Sequence, residues 1–340
     1  MKRGASGLSL VVAIDKSAGH SSHSALGGLK YELGERRVGH CGTLDPFATG
    51  ILVALIGPAT GLSRYLTMDR KSYMADIVFG RTTATDDIEG PTVEQFDVSC
   101  NDLEADEAQS IVNGFKGDIL QVPPAYSALK IQGRRAYDEA RKGRPVTLEP
   151  RPVHVYDAEI IDIGECEDEG RIVPRWTVMF DVSKGTYIRS LARDIGKAVG
   201  AGAYLGSLRR IKSGGVGLEH CILEGSSASE VLGAALDPVE MLGFKVIFPD
   251  DKDIERVSNG ASLDPSEMDV YTCVNAMGHE EDLCTTRMRE FTGGYQDGEK
   301  ISICSPSGLK AIYSFDDHSK RLTAERVFQT EVSRGPGDIV

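Results

Sequence analysis

Residues Gly39–Gly50 read Gly-His-Cys-Gly-Thr-Leu-Asp-Pro-Phe-Ala-Thr-Gly, and the apolar run Ile51–Ile56 follows directly. Three glycines allow tight backbone geometry, and Pro46 biases the preceding Asp45 away from the helical region toward an extended one. A short apolar run bounded by turn residues is typical of a buried strand. The pattern predicts a shaped loop that presents the Asp45 carboxylate just before a buried strand. Local chemistry alone leaves an ordinary Asp-Pro turn as the alternative.

Composition indicates an ordinary globular protein. With 340 residues, 41% of them hydrophobic, the chain can bury a sizeable core and is long enough for two domains. The apolar run Leu8–Ile14 has no small-residue cleavage site after it, and no stretch reaches the length of a membrane span. Seven cysteines without Cys-x-x-Cys spacing argue against a disulfide framework and a zinc knuckle. A cytoplasmic protein is therefore expected.

The net charge of −13 argues at first against a nucleic-acid partner, because phosphate contacts need lysine and arginine. The charge is uneven, however. Residues 116–152 carry eight basic and four acidic side chains, and residues 183–213 carry seven basic and one acidic, which gives +4 and +6. Residues 245–340 carry eleven basic and eighteen acidic side chains, a local −7. The acidic excess lies away from the two candidate RNA-binding stretches, although charge runs are also common on plain solvated surfaces.

Hydrophobic periodicity and capping residues predict the main elements. Strands are expected over residues 8–14, 71–79, 151–163 and 172–182, with Tyr73 on the inward face of the second and the last two paired. Helices are expected over residues 22–33, 102–115, 226–236 and from the 183–191 segment to about Val199, with a further basic helix over 134–142. Short alternating runs over residues 300–328 predict a small β-rich domain.

The Asp45 loop resembles the catalytic loop of the TruB family of tRNA pseudouridine synthases, Gly-His-x-Gly-x-Leu-Asp-Pro-x-Ala-x-Gly, at every fixed position. Further blocks match between Asp15 and about Arg210, including Lys-Gly-Thr-Tyr-Ile-Arg at residues 184–189 and Leu-Arg-Arg at 208–210. Two departures stand out. Ser17 replaces the proline of the family's Lys-Pro-x-Gly-x-Ser/Thr-Ser motif, and Ala84 replaces the first aspartate of a Thr-Asp-Thr segment.

The resemblance implies an α+β fold: a pseudouridine synthase domain with a mixed β-sheet flanked by helices, then a small β-rich PUA-like domain. By position, residues 1–242 are the catalytic domain, with an RNA-gripping insertion near residues 120–145. Residues 243–332 are the PUA-like domain and residues 333–340 a tail.

The resemblance also implies roles for individual residues. Asp45 is the catalytic carboxylate, as nucleophile or base, and Arg189 keeps it ionised and aimed. Tyr73 matches the tyrosine that stacks on the target uracil. Without the motifs, these positions would be interpreted as plain packing or surface. The substrate-binding residues implied are His40, Tyr187, Leu208, Lys16, Arg134, Arg135, Arg141, Lys142, Lys184, Arg209 and Arg210.

The implied reaction converts the uridine at position 55 in the T-loop of tRNA to pseudouridine, with no cofactor and no metal. The N1–C1′ bond breaks, the uracil turns and C5 joins C1′, so one placed carboxylate suffices. The base must first leave its stack. Because guide-RNA-dependent relatives are shorter near residues 120–145, a protein that binds the T-arm without guide RNA is expected. A monomer with no membrane partner is also expected.

Two other functions stay open at this point. A nucleosidase or glycosidase would also use carboxylates against a glycosidic bond, with Asp86 or Asp87 as the second acid. A protein that only binds or folds tRNA would need no catalytic carboxylate. Release of free uracil would identify the first alternative, and retention of all function by an Asp45→Asn protein would identify the second.

Overall fold

The computed structural model describes residues 6–66, 70–99, 105–127, 130–131, 134–135, 148–273, 288–291 and 293–335. These residues form two compact units. Within the described ranges, the first unit takes residues up to 46, residues 50–66 and residues from 212 onward; the second takes residues 47–49 and 70–211.

Strands β1 (Leu10–Lys16) and β3 (Thr49–Ile56) run antiparallel through the first unit, with Leu10 opposite Ile56 and Lys16 opposite Gly50. Strand β2 (Val38–Cys41) pairs antiparallel with β3, so β2 and β3 are the two arms of the Asp45 loop. Strand β14 (Cys221–Leu223) lies parallel to β1 on its other edge. The strand predicted over residues 8–14 and the strand predicted after Asp45 are both confirmed.

Alternate residues of β3 are buried in two different cores. Leu52, Ala54 and Ile56 pack with side chains from two short helices, α1 (Ser22–Ala25) and α2 (Gly27–Glu32). Ile51, Val53 and Leu55 pack instead with residues of the C-terminal strands, including Phe328 and Val332. A one-residue slip of this strand would disrupt the close packing of its side chains in both cores, which holds it in one register.

The single helix predicted over residues 22–33 is divided. Helix α1 ends and α2 begins at Leu26, whose φ of −78° and ψ of −2° end the first helix without a left-handed turn. The two glycines that follow, Gly27 and Gly28, are poor helix formers, and they account for the break. Ser21 caps α1 by accepting a hydrogen bond from the Ser24 N–H.

A second sheet confirms the β-rich C-terminal region. Its strands are β15 (Lys245–Ile247), β16 (Val270–Cys273), β17 (Met288–Glu290), β18 (Lys300–Ser305), β19 (Gly308–Asp316) and β20 (Arg321–Val332). Their order in the sheet is β17-β16-β15-β18-β19-β20. Because this sheet shares a core with β3, both belong to the first compact unit. The domain boundary at residue 242 stays a prediction.

The second unit contains the strands β4 (Arg70–Phe79), β7 (Gly117–Gln121), β10 (Arg151–Asp168), β11 (Arg171–Ser183) and β12 (Ala203–Ser213). They are hydrogen-bonded in the order β12-β4-β11-β10-β7. The predicted pairing of β10 with β11 is confirmed, and Glu169-Gly170 closes this hairpin with φ values of +50° and +78°. Positive φ at both central residues matches the strand twist of a two-residue hairpin.

Other short strands complete the description: β5 (Arg81–Thr83), β6 (Thr92–Gln95), β8 (Lys130–Ile131), β9 (Arg134–Arg135) and β13 (Val216–Gly217). The remaining helices are α3 (Ala105–Asn113), α4 (Ile188–Val199), α5 (Ala228–Gly233), α6 (Pro238–Leu242) and α7 (Asp251–Ser258).

Helix α4 begins within the predicted 183–191 segment and ends at Val199 as predicted, with Gly200 in a left-handed conformation after its last turn. The basic helix predicted from residue 134 is wrong at its start. Arg134 and Arg135 pair with Ile131 and Lys130 as antiparallel strands, and residues 136–142 lie outside the described part of the chain. Among the described helices, none is long and apolar enough to cross a membrane. The α+β prediction is confirmed.

The two-sided burial of β3 predicts a large cost for shortening its side chains. Leu52→Ala should lower the free energy of unfolding by about 3 kcal/mol, because it removes buried methyl groups and leaves a cavity. Urea denaturation followed by circular dichroism measures this. Leu120→Ala is the matched control, since Leu120 is 74% exposed, and it should change the value by less than about 0.5 kcal/mol. Equal small losses would contradict the packing described for β3.

Candidate active site

The Asp45 loop, residues 42–48, joins β2 to β3. Gly42 and Gly50 near its two ends have φ values of +78° and +96°, a region in which other residues are strained. Leu44 and Ala48 are buried and anchor the loop, while Asp45 is half-buried. The sequence prediction of a shaped loop that carries one acid is therefore confirmed.

Ser22 fixes the backbone on the N-terminal side of Asp45. Its buried hydroxyl donates to the Leu44 carbonyl at 2.8 Å and accepts from the Leu44 N–H at 2.8 Å. Both polar backbone groups of Leu44 are thus bound by one side chain. Because Ser22 is the first residue of α1, the helix sets the position of the residue that precedes the acid.

Two donors fix the backbone on the other side. The Pro46 carbonyl accepts hydrogen bonds from the Gly19 N–H at 3.0 Å and from the Lys16 ammonium at 3.1 Å. Lys16 also donates to the Ser17 carbonyl at 2.9 Å, and its side chain is fully buried. The prediction that Lys16 binds substrate stays a prediction. Its described contacts are those of a positioning residue.

Arg189 belongs to the second unit, and its guanidinium lies against a turn formed by residues 83–90. Its Nη1 is 3.2 Å from Asp87 Oδ2 and donates to the Thr85 carbonyl at 3.1 Å, and its Nη2 donates to the Tyr126 carbonyl at 3.0 Å. Asp87 in turn accepts from Thr85 Oγ1 at 2.5 Å and from the Glu89 N–H at 3.1 Å. Both charged side chains are about 95% buried, so this network holds the guanidinium in one orientation.

Arg193 repeats the arrangement one helical turn later. Its Nη1 is 3.0 Å from Asp86 Oδ2, so consecutive aspartates bind arginines at i and i+4 of α4. Burial raises the pKa of the Asp86 carboxyl, and the charge of Arg193 opposes that rise. Asp86 has a φ of +60°, which is unusual for a residue other than glycine. The two ion pairs give this strained turn its fixed shape.

Gln121 places the start of α4. Its buried side-chain amide accepts from the Tyr187 N–H at 2.8 Å and donates to the Tyr187 carbonyl at 3.1 Å. Ser190 Oγ and Arg193 Nη2 both donate to the Val122 carbonyl at 2.9 Å. The end of β7 therefore fixes the backbone of Tyr187, a half-buried residue two positions before Arg189.

Three other predicted site residues lie on strands. Tyr73 on β4 stands opposite Phe180 of β11 and is buried, which confirms its inward orientation. Leu208 on β12 is also buried. His40 on β2 is half-buried opposite Ala54.

The predicted basic residues are placed differently from one another. Lys184 is exposed, and Arg209 is half-buried with Nη1 3.5 Å from Thr49 Oγ1. Arg210 is 99% buried, and its substrate-binding role stays a prediction. Arg134 and Arg135 form strand β9, whereas Arg141 and Lys142 lie outside the described residues.

Sequence reasoning missed three residues that hold these groups. Ser22 was treated only as a helix start, Asp87 only as a possible second acid, and Gln121 not at all. The Arg-x-x-x-Arg spacing of α4 and the Asp86-Asp87 pair were the available signals, but nothing in the sequence joins them. Within the described residues, no group of three or more histidine, cysteine or acidic side chains could hold a metal ion.

Comparison with known proteins gives the class and then the family. Residues 30–188 match the N-terminal domain of TruB family pseudouridylate synthases. The chain is 39% identical over 269 residues to tRNA pseudouridine synthase B of Mycobacteroides abscessus, covering 78% of this chain and 88% of that protein. It is 40% identical over 235 residues to the Aquifex aeolicus protein of the same name, covering 69% and 78%.

Solved structures agree on the fold. The chain superposes on a Cbf5–Nop10–Gar1 complex with a TM-score of 0.61 at 23% identity, over 97% of this chain and 87% of the other. An archaeal box H/ACA Nop10–Cbf5 complex gives 0.60 at 22%, over 96% and 86%. The fold and the carboxylate loop define a pseudouridine synthase. Within that class, the chain belongs to the TruB family.

The Arg189–Asp87 contact predicts a stability effect. Asp87→Asn keeps the size of the side chain but removes a buried negative charge beside the guanidinium, so we expect the free energy of unfolding to fall by about 3 kcal/mol. Urea denaturation measures it. Asp194→Asn on helix α4, which also carries Arg189, is the control, because Asp194 is 30% exposed and pairs near the surface, and it should cost less than about 1 kcal/mol. Equal costs would show that the Asp87 pair is no stronger than a surface pair.

Proposed function

We propose that this protein isomerises the uridine at position 55 in the T-loop of tRNA to pseudouridine. The observation that carries the proposal is the Asp45 loop, which has every fixed residue of the family motif and is bound on both sides of the acid by Ser22, Lys16 and Gly19. The relatives named tRNA pseudouridine synthase B support tRNA as the substrate.

The chemistry needs one acid and no redox step. Asp45 acts as nucleophile at C1′ or as base on the sugar while the N1–C1′ bond breaks. The freed uracil turns and forms the C5–C1′ bond, and C5 then loses its proton to solvent or to a nearby base while N1 gains one. The product has the same atoms as the substrate. A loop backbone fixed by three donors suits this task, because the acid must meet the sugar in one geometry.

The other motif residues take roles that agree with their placement. Tyr73 and Leu208, both buried, offer apolar surface to the flipped uracil, and Tyr187 adds a half-buried ring. Arg189 supplies the guanidinium that keeps the catalytic carboxylate ionised. His40 fills space left by the extruded nucleotide. Asp87 and Gln121 act on Arg189 and Tyr187 rather than on RNA.

The protein acts alone, as a monomer in the cytoplasm, on the T-arm of tRNA and without guide RNA. Arg134, Arg135, Arg141 and Lys142 of the insertion grip phosphates, together with Lys184 and Arg209. Incubation of the purified protein with an isolated T-arm stem-loop, and no other RNA, tests this. Pseudouridine at the position equivalent to 55 is expected, and a requirement for a second RNA would overturn the stand-alone assignment.

Asp45→Asn should abolish pseudouridine formation and leave tRNA binding largely intact. The amide keeps the size and hydrogen bonding of the side chain but cannot act as nucleophile or base. Turnover is measured by mapping pseudouridine along unmodified tRNA, and binding by filter retention. Activity at even a tenth of the unsubstituted protein would remove Asp45 from the catalytic role.

Replacing Arg134 and Arg135 with alanine should weaken tRNA binding and flatten its salt dependence. Each lost phosphate contact lowers the slope of log affinity against log salt by about 0.9 for a duplex. The control is Lys252→Ala with Lys320→Ala, two exposed lysines of the acid-rich C-terminal region, which should leave the slope unchanged. An unchanged slope in the arginine variant would show that Arg134 and Arg135 do not contact phosphate, and would assign the phosphate contacts to Lys184 and Arg209.

A further inference from the structure

Glu224 lies at the sheet edge where the turn that supports the Asp45 loop begins. Strands β1 and β14 are parallel, with Asp15 opposite Leu223, so the residues that follow them emerge side by side. Glu224 Oε1 accepts a hydrogen bond from the Ser17 N–H at 2.6 Å, and Oε2 lies 2.8 Å from His20 Nε2. One carboxylate therefore binds both ends of the 17–20 turn.

This turn is in direct contact with the Asp45 loop. The Gly19 N–H, between the two groups that Glu224 binds, donates to the Pro46 carbonyl at 3.0 Å. Lys16 bridges the Ser17 and Pro46 carbonyls. A movement of the turn would change both hydrogen bonds to the residue that follows Asp45. The position of Glu224 is thus connected to the position of the acid through a short series of hydrogen bonds.

The connection depends on Ser17. A proline at this position would have no N–H to donate. A proline stiffens the turn by fixing its own φ, whereas Ser17 leaves φ free and offers its N–H to a carboxylate. In this chain, a hydrogen bond between distant segments takes the place of the ring.

We propose that Glu224 is a positioning residue for the Asp45 loop, which it holds through the Ser17 N–H and the His20 ring. The proposal rests on the proposed function for its kinetic effect. The geometric part does not, because it concerns only the order of the 17–20 turn and of residues 42–48.

The first test compares Glu224→Ala, Glu224→Gln and Glu219→Ala. Glutamine keeps an oxygen that can accept from the Ser17 N–H. Glu219 is the control, because it pairs with His220 and is 64% exposed. Glu224→Ala should lower kcat at saturating tRNA about tenfold, since small misplacements of a reacting group are costly, with the Kd for tRNA unchanged. Glu224→Gln should stay within about threefold. Equal kcat for all three variants overturns the proposal.

The second test is rescue by proline. Lys16 ends strand β1 and is extended, which is the conformation that the residue before a proline favours. Ser17→Pro in the Glu224→Ala background should therefore raise kcat at least about threefold over Glu224→Ala alone. If the double variant is no better, the loss came from elsewhere in the structure and the positioning role is wrong.

A third measurement does not depend on activity. Amide hydrogen exchange of the 17–20 and 42–48 segments should be faster in Glu224→Ala than in the unsubstituted protein or Glu219→Ala, and slower again with Ser17→Pro. Unchanged exchange in Glu224→Ala overturns the positioning role of Glu224, even if the protein forms pseudouridine. If exchange is faster in Glu224→Ala but the unsubstituted protein makes no pseudouridine, the positioning role of Glu224 is upheld and the proposed function is rejected. The two failures are therefore distinguishable.

Discussion

Burial of β3 on both faces is the constraint on which the rest of the structure depends. One face packs against the helices that follow β1, and the other against the C-terminal sheet. Because a slip of the strand would disrupt close packing in both cores, the strand is held in one register, and the loop that enters it has one starting point. The acid at residue 45 is therefore placed by two cores whose residues are distant in sequence.

The described contacts on either side of Asp45 fix the backbone of the loop. Ser22, Lys16 and Gly19 bind the main-chain groups of Leu44 and Pro46. In the second unit, Asp87 and backbone carbonyls orient Arg189, and Gln121 holds Tyr187. Buried polar groups are costly unless they are bound, so each contact both satisfies a buried group and sets a position.

Much of the fold was predictable because its signals are local. The alternation of residues 71–79, the glycine after α4 and the hairpin around residue 169 each lie within a few residues of the feature they determine. Ion pairs between distant segments leave no such signal, and Asp87 was therefore missed as the partner of Arg189. The burial of Lys16 and Arg210 was also missed, since the side-chain type indicates exposure and only the packed fold removes it. The helix predicted at residue 134 failed because basic residues carry no apolar period that would separate a helix from a short hairpin.

The acidic C-terminal region contributes to the site by packing. Several of its carboxylates are already engaged with lysine or arginine, as Glu299 is with Lys245 and Glu331 with Lys310, so its negative charge is partly neutralised within the fold. Its apolar side chains meet Val53 and Leu55 of β3 in one core. Packing of this kind stabilises β3 whether or not the region binds phosphate. It is compatible with a local charge of −7, because apolar burial does not depend on the sign of the surface charge. An acidic terminal sheet is thus compatible with an RNA substrate, because its contribution is to pack against the strand that follows the catalytic loop and not to bind phosphate.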